Sequence, residues 1–154
     1  MRTLCTRKLM SIIQEIADAW GRVGINPVEV VGENDFGNLI VKDADEKYWR
    51  LCPEEVYFEI IAEDRESLDK LSTDQEFLED WYMAALVELA IKNHGQLEQG
   101  KKFHLTVPSI LGGEYAIENI KQVPLIEQIR FSGSVGKQIN ELPDGAQIEL
   151  KVVS

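Results

Sequence analysis

Between Val28 and Ala62 the chain leaves room for strands and turns but not for a crossover helix. Val28 to Val31 is a short β-branched run, Asn34-Asp-Phe-Gly37 is turn-forming, and Asn38-Leu-Ile-Val41 and Tyr48-Trp-Arg-Leu51 flank the polar connection Asp43 to Lys47. Pro53-Glu-Glu55 turns the chain again before Tyr57-Phe-Glu-Ile-Ile-Ala62. Parallel strands need a connection of about a dozen residues or more, whereas hairpins need only a few. Segments this closely spaced therefore pair as an antiparallel meander. Phe58, Ile60 and Ala62 are expected on one face of the last strand, with Tyr57, Glu59 and Ile61 on the other.

Helical spacing takes over on both sides of the meander. Leu9, Ile12, Ile13, Ile16, Trp20 and Val23 share one face, Ser11 and Gln14 form a capping box, and Gly24 closes the helix. Thr73 and Glu76 form a second box, opening a helix expected to run to about Asn93. Its buried stripe would be Leu78, Trp81, Tyr82, Ala85, Leu86 and Leu89, and Gly95 would cap it. After a polar loop from His94 to Lys101, Phe103, Leu105 and Val107 alternate with Lys102, His104 and Thr106, as in a strand with one wet face. Pro124 suits the first turn of a third helix starting near Val123. That helix places Leu125, Ile129, Ser132, Gly133, Gly136 and Ile139 along one side. Glycine costs a helix about 1 kcal/mol relative to alanine, so Gly133 and Gly136 imply close approach of a neighbouring element. Leu142-Pro-Asp-Gly145 reads as a turn into a last strand with Ile148, Leu150 and Val152 inward.

The expected fold class is therefore α+β: a single domain over 10–154, a mostly antiparallel sheet of five to six strands, and three helices on one face. Residues 1–9 are expected to be a disordered extension, with Met10 a natural start. Leu9, Ile12, Ile16, Trp20, Trp81, Ala85, Leu89, Ile129, Ile148 and Leu150 are expected to share one core.

At 154 residues, with 44% hydrophobic and 28% charged residues, the chain is ordinary for one soluble domain. No apolar run approaches the roughly 18 residues of a membrane span. Glu15 and Asp18 interrupt the N-terminal apolar stretch, unlike a signal peptide, so the cytoplasm is the expected compartment. Cys5 and Cys52 read as free thiols, Cys52 buried. The net charge is −11, and Asp43 to Asp80 contains 14 Asp and Glu against 4 Lys and Arg, or −10. Phosphate recognition needs clustered Lys and Arg, so nucleic acid is disfavoured. The polar face of the first helix is not basic, which disfavours a membrane surface.

No group of residues suggests catalysis. The carboxylates have no His, Lys or Ser beside them in a known arrangement. Asp43-x-Asp45 lacks the glycine of a calcium loop. Ser132-Gly-Ser134 is not a nucleophile elbow. Neither His94 nor His104 has a metal-ligand partner at the usual spacing, and both are expected in loops or at the surface. Gly112-Gly113, within Pro108 to Asn119, lacks the spacing of a phosphate loop and marks a sharp turn or close backbone approach. Catalytic residues, cofactors and metal ligands are therefore expected to be none.

Three stretches together carry a resemblance: Gly37-Asn-Leu-Ile-Val-Lys-Asp43 leading into Tyr48-Trp-Arg-Leu-Cys-Pro-Glu-Glu55; Leu111-Gly-Gly-Glu-Tyr-Ala-Ile-Glu-Asn119; and Ile139-Asn-Glu-Leu-Pro-Asp-Gly145. From about Met10 onward the chain resembles the C-terminal part of bacterial immunity proteins against type VI secretion DNase effectors. The resemblance implies a cytosolic, antitoxin-like protein that binds and blocks an effector. Those proteins have a further N-terminal domain that this sequence does not show, so an orphan immunity protein or a reused domain is expected. The acidic middle suits a basic effector protein as partner, since opposite potentials steer encounter. The candidate contact residues are Glu54, Glu55, Glu59, Glu63, Asp64 and Glu66, with Gly112, Gly113, Glu114 and Tyr115 as a motif loop. The alternative is a small-molecule-binding or regulatory domain with a pocket near Gly112-Gly113.

Overall fold

The computed structural model describes residues 6–142. Helix α1 (Thr6–Trp20) ends in a 3-10 turn, Gly21–Val23, and strands β1 (Pro27–Glu33), β2 (Leu39–Asp43), β3 (Tyr48–Cys52) and β4 (Tyr57–Ala62) follow. They form one antiparallel sheet in the order β1-β2-β3-β4, the meander expected from the turn spacing. Three helices come next: α2 (Arg65–Leu71), α3 (Gln75–Tyr82) and α4 (Ala84–His94). β5 (Lys101–Leu105) and β6 (Ile120–Pro124) pair as a separate two-stranded antiparallel sheet, and α5 (Leu125–Glu141) closes the described chain.

The α+β class holds, but the layout differs from expectation in three ways. Among the described residues the strands divide into sheets of four and two rather than one sheet of five to six. The helices outnumber the expected three. They also cover both faces of the large sheet rather than one. Leu39, Val41, Leu51 and Phe58 pack with Ile16 and Trp20 of α1 and Ile129 of α5. Ile40, Tyr48 and Ala62 pack with Trp81 of α3, and Leu68 and Leu71 of α2 lie against them. The side chains of successive strand residues point to opposite faces, so β2 supplies both cores. A register shift lets β4 do the same. Tyr48 pairs with Ala62 and Trp49 with Ile60, which leaves Ile61 as an extra residue. Phe58 and Ala62 consequently face different cores, and Ile60 is 39% exposed.

The helix expected over 73–93 is broken at Met83, which adopts a left-handed conformation (φ 49°). Trp81 is buried in the core under the sheet, whereas Met83 packs on Phe36, Ala90, Phe103, Leu105 and Ile120. Positions two apart on a helix face nearly opposite ways, and the bend turns each toward its own core. It also changes the phase of the second half. Ala90 is buried, while Tyr82 (60%), Leu89 (42%) and Ala85 are exposed. The single expected core is thus three clusters. Ile16, Trp20 and Ile129 share one, Trp81 belongs to another, and Ala85 and Leu89 belong to none.

Local signals explain the remaining boundaries. Asp74, not Thr73, caps α3, accepting hydrogen bonds from the Glu76 and Phe77 amides. The Thr73 hydroxyl instead donates to the Lys70 carbonyl. Ser11 lies inside α1, which begins at Thr6, and so does not cap it. Gly24 and Gly95 close their helices as expected. The rest of the extension with Cys5, the turn beyond Leu142, and the strand expected at Ile148 to Val152 lie outside the described residues.

Helices α1 and α5 meet closely through Gly133 and Gly136. A Cβ on Gly133 would overlap the Ala19 carbonyl oxygen and lie 2.8 Å from the Ala19 Cβ. One on Gly136 would lie 3.1 Å from the Trp20 ring. The Trp20 indole donates to Ser132 Oγ at 3.3 Å, and Arg130 Nε donates to Glu15 at 2.8 Å across the same pair. Trp20 is 1% exposed, and full burial of a large apolar side chain contributes about 1.5–3 kcal/mol. Gly133→Leu should therefore destabilise the fold by about 1–3 kcal/mol through overpacking, read as a lower urea midpoint. Glycine replaced at an exposed helical site would give a neutral or stabilised protein instead.

Candidate partner-binding surface

The residues of two of the resembling stretches converge. Asn38 opens the turn into β2 and is fully buried. Its amide donates to both Glu54 carboxylate oxygens at 2.9 Å, and its carbonyl oxygen accepts from Arg50 Nε at 3.0 Å. Arg50 also donates to Asp80 of α3 at 2.6 Å, and its guanidinium lies 5.2 Å from the Trp81 ring centre. The Glu54 carbonyl accepts from the backbone amide (2.8 Å) and hydroxyl (2.9 Å) of Ser109. The Tyr115 hydroxyl contacts Glu55 at 3.4 Å. The β3–β4 turn is thereby fastened to the loop holding Gly112 and Gly113. Gly112 adopts φ +90°, and a Cβ on Gly113 would overlap the Val107 carbonyl oxygen, so the pair satisfies both a turn and a close approach. Asn119 ties the loop down, its amide donating to the Val107 and Glu114 carbonyls at 2.9 Å.

This network sorts the candidate carboxylates. Glu54 is 5% exposed and works inside the fold, so it is not part of a contact surface. Burial raises its pKa despite the Asn38 hydrogen bonds. Glu55, Glu59, Glu63, Asp64 and Glu66 are exposed along β4, its preceding turn and the start of α2. Asp64 caps α2. Its carboxylate accepts from the Ser67 amide at 2.8 Å, and this bond with the Ser67 hydroxyl holds its pKa below the usual range. Glu66 sits in the first turn of α2, where the helix dipole favours a negative charge. Glu63 lies 3.4 Å from Lys47, and Glu66 3.8 Å from Lys70. Such exposed pairs contribute at most about 1 kcal/mol and dissociate readily, leaving the face strongly acidic. Strand β4 is also an edge of its sheet.

Sequence reasoning missed the network within the site. Asn38 and Arg50, both buried, and Asp80, which stays exposed, stood in the sequence as ordinary polar residues. Cys52 is buried, as expected, and burial raises the pKa of its thiol. His94 is exposed, but His104 is not the surface residue expected: it is 7% exposed. The wet face expected for β5 is covered by α5. Phe131 packs edge-on against His104 (5.2 Å), and the Gln128 amide nitrogen contacts His104 Nδ1 at 3.3 Å. The same nitrogen donates to the Phe36 and Phe103 carbonyls at 3.2 and 3.1 Å. Burial and then the charge of Lys121 lower the pKa from 6.5 to about 4.

A groove of about 670 Å³ runs along the bend between α3 and α4, lined by residues from Gln75 to Leu86. No residue of the Gly112-Gly113 loop lines it. Among the described residues, no helix is long and apolar enough to cross a membrane.

The neutral imidazole gives a pH dependence of known sign. Between about pH 4 and 6.5 the unfolded chain binds the His104 proton and the folded chain does not, so stability rises with pH. The contribution is fully present above pH 6.5 and is lost as pH falls toward 4, by about 3 kcal/mol at 1.36 kcal/mol per unit. Urea midpoints measured from pH 7 to 4.5 should fall more steeply for the wild type than for His104→Gln. Parallel slopes would mean that His104 titrates normally.

No curated protein matches the chain. The crystal structure of Atu4351 from Agrobacterium tumefaciens is similar at a TM-score of 0.56 and 19% identity, covering 81% of this chain and 63% of that one. This shows a likeness of fold alone, and the chain spans less than two thirds of that protein's length. The family model described as T6SS immunity protein Tdi1, C-terminal, matches residues 62–136. The matched segment runs from the end of β4 through most of α5. Over those residues the chain is similar to the C-terminal domain of the T6SS immunity protein Tdi1, the family that its motifs resemble.

Proposed function

We propose that this chain is a non-enzymatic immunity protein that acts in the cytoplasm by binding a basic effector toxin, such as a nuclease, and blocking it. The family match carries this reading. The charge distribution supports it: −10 of the −11 net charge lies between Asp43 and Asp80, and five of the six candidate carboxylates are exposed. A nuclease cleft must attract phosphates, so it is basic. A carboxylate-rich face matches that potential, raises the encounter rate and disfavours acidic competitors. Glu55, Glu59 and Glu63 are the principal contacts, because Asp64 and Glu66 also serve α2. Tyr115, beside Glu55, extends the surface to the motif loop.

Pull-downs at low and high salt identify the effector, and surface plasmon resonance then measures its association with the chain. Reversal of Glu55, Glu59 and Glu63 to lysine should slow association on the order of ten-fold while circular dichroism stays unchanged. The wild-type association rate should fall as salt rises, since exposed charges are screened. A rate indifferent to both salt and the triple reversal would remove the acidic face from the mechanism and move the contact to Gly112 to Tyr115.

A further inference from the structure

The groove at the bend between α3 and α4 lies outside the acidic face just described. Its lining includes Leu78, Glu79, Tyr82, Met83, Ala85 and Leu86, so it is mostly apolar and open to solvent. Two observations mark it as preformed. Met83 is left-handed without being glycine, a conformation that persists only when its surroundings enforce it. The enforcement is visible on both sides: the Asn34 amide donates to the Trp81 carbonyl at 2.7 Å, and Met83 itself packs into the core around Phe103. Asn34 is 6% exposed, and its side-chain oxygen also accepts from the Phe36 and Asn38 amides. The bend is therefore tied to the β1–β2 turn.

The groove exposes apolar surface beside carboxylates. Tyr82 is 60% exposed. Glu79, which lines the groove, precedes Tyr82 by one turn of α3, and Glu88, outside the lining, follows Ala85 by one turn of α4. Among the described residues, neither Glu79 nor Glu88 forms an ion pair, and Lys92, one turn beyond Glu88, engages neither. Apolar walls rimmed by uncompensated negative charge suit an occupant of the opposite design.

We propose that this groove is a second docking site, which takes an apolar side chain flanked by lysine or arginine on a basic partner protein. This deepens the immunity reading and rests on it for the partner's identity, but not for the chemistry. Charge complementarity selects the occupant. The apolar anchor adds the desolvated contact that rim charges alone do not supply.

The test uses the full-length, isotope-labelled chain and acetyl-Lys-Leu-Phe-Lys-amide as probe, followed by amide chemical shifts. Two controls are acetyl-Glu-Leu-Phe-Glu-amide and the variant Ala85→Arg, which places a large cation in the groove at an exposed position. The expected result is shifts confined to about residues 75–89, affinity at least ten-fold weaker for the acidic peptide, and loss of the response in Ala85→Arg. Shifts elsewhere, equal response to both peptides, or an unchanged Ala85→Arg response would overturn the proposal. No effector enters this experiment, so its failure leaves the immunity reading standing. A failure of effector binding likewise leaves the groove result standing.

Discussion

The hydrogen-bonded chain from Glu54 through Asn38 and Arg50 to Asp80 holds the described domain together at its most expensive point. A buried charge costs several kcal/mol unless it is paired and hydrogen-bonded. Arg50 and Glu54 are both about 5% exposed, and their hydrogen bonds to the other members offset part of that cost. Asn38 is the shared partner, with its amide on Glu54 and its carbonyl oxygen on Arg50. The consequence is specificity of arrangement. Arg50 reaches Asp80 only if α3 lies across its face of the sheet. Ser109 reaches the Glu54 carbonyl only if the Gly112-Gly113 loop folds back against the β3–β4 turn.

The same network prepares the surface above it. Glu54 faces inward while Glu55, its neighbour, faces solvent beside Tyr115. Val56, next in the turn, is left-handed (φ 56°) although β-branched, a conformation that such residues seldom adopt. The turn is held there by the buried Val56 side chain on one side and the Glu54 contacts on the other. A contact surface built on so constrained a turn loses little entropy on binding, which is the physical advantage of preorganisation.

Much of this was legible in the residues. Turn spacing gave the meander, and Gly133 and Gly136 announced the close α1–α5 contact before any neighbour was known. Cys52 was expected to be buried and is. The misses share one cause: a single sequence shows periodicity but not what covers a face. Lys102, His104 and Thr106 alternate as a solvated face does, yet α5 arrives later in the chain and buries His104. Thr73 to Asn93 contains no glycine or proline to mark the break, because Met83 bends for tertiary reasons, with Trp81 and Met83 drawn to different cores. Ile120 to Pro124 is short and follows a loop, so its pairing with β5 was hidden. Arg50 and Glu54 look like any exposed pair until the fold encloses them. For Glu54 that enclosure removes a residue that charge alone had placed on the surface.

The proposed contact with a basic partner lies on the acidic face running from the β3–β4 turn along β4 into α2. Amide hydrogen exchange, measured on the full chain with and without the effector that co-purifies with it, tests this most directly. A partner on this face slows exchange between about Glu55 and Leu71, with α1 and α5 unchanged. Protection confined to α1 and α5, with the 55–71 segment exchanging as in the free protein, would contradict it.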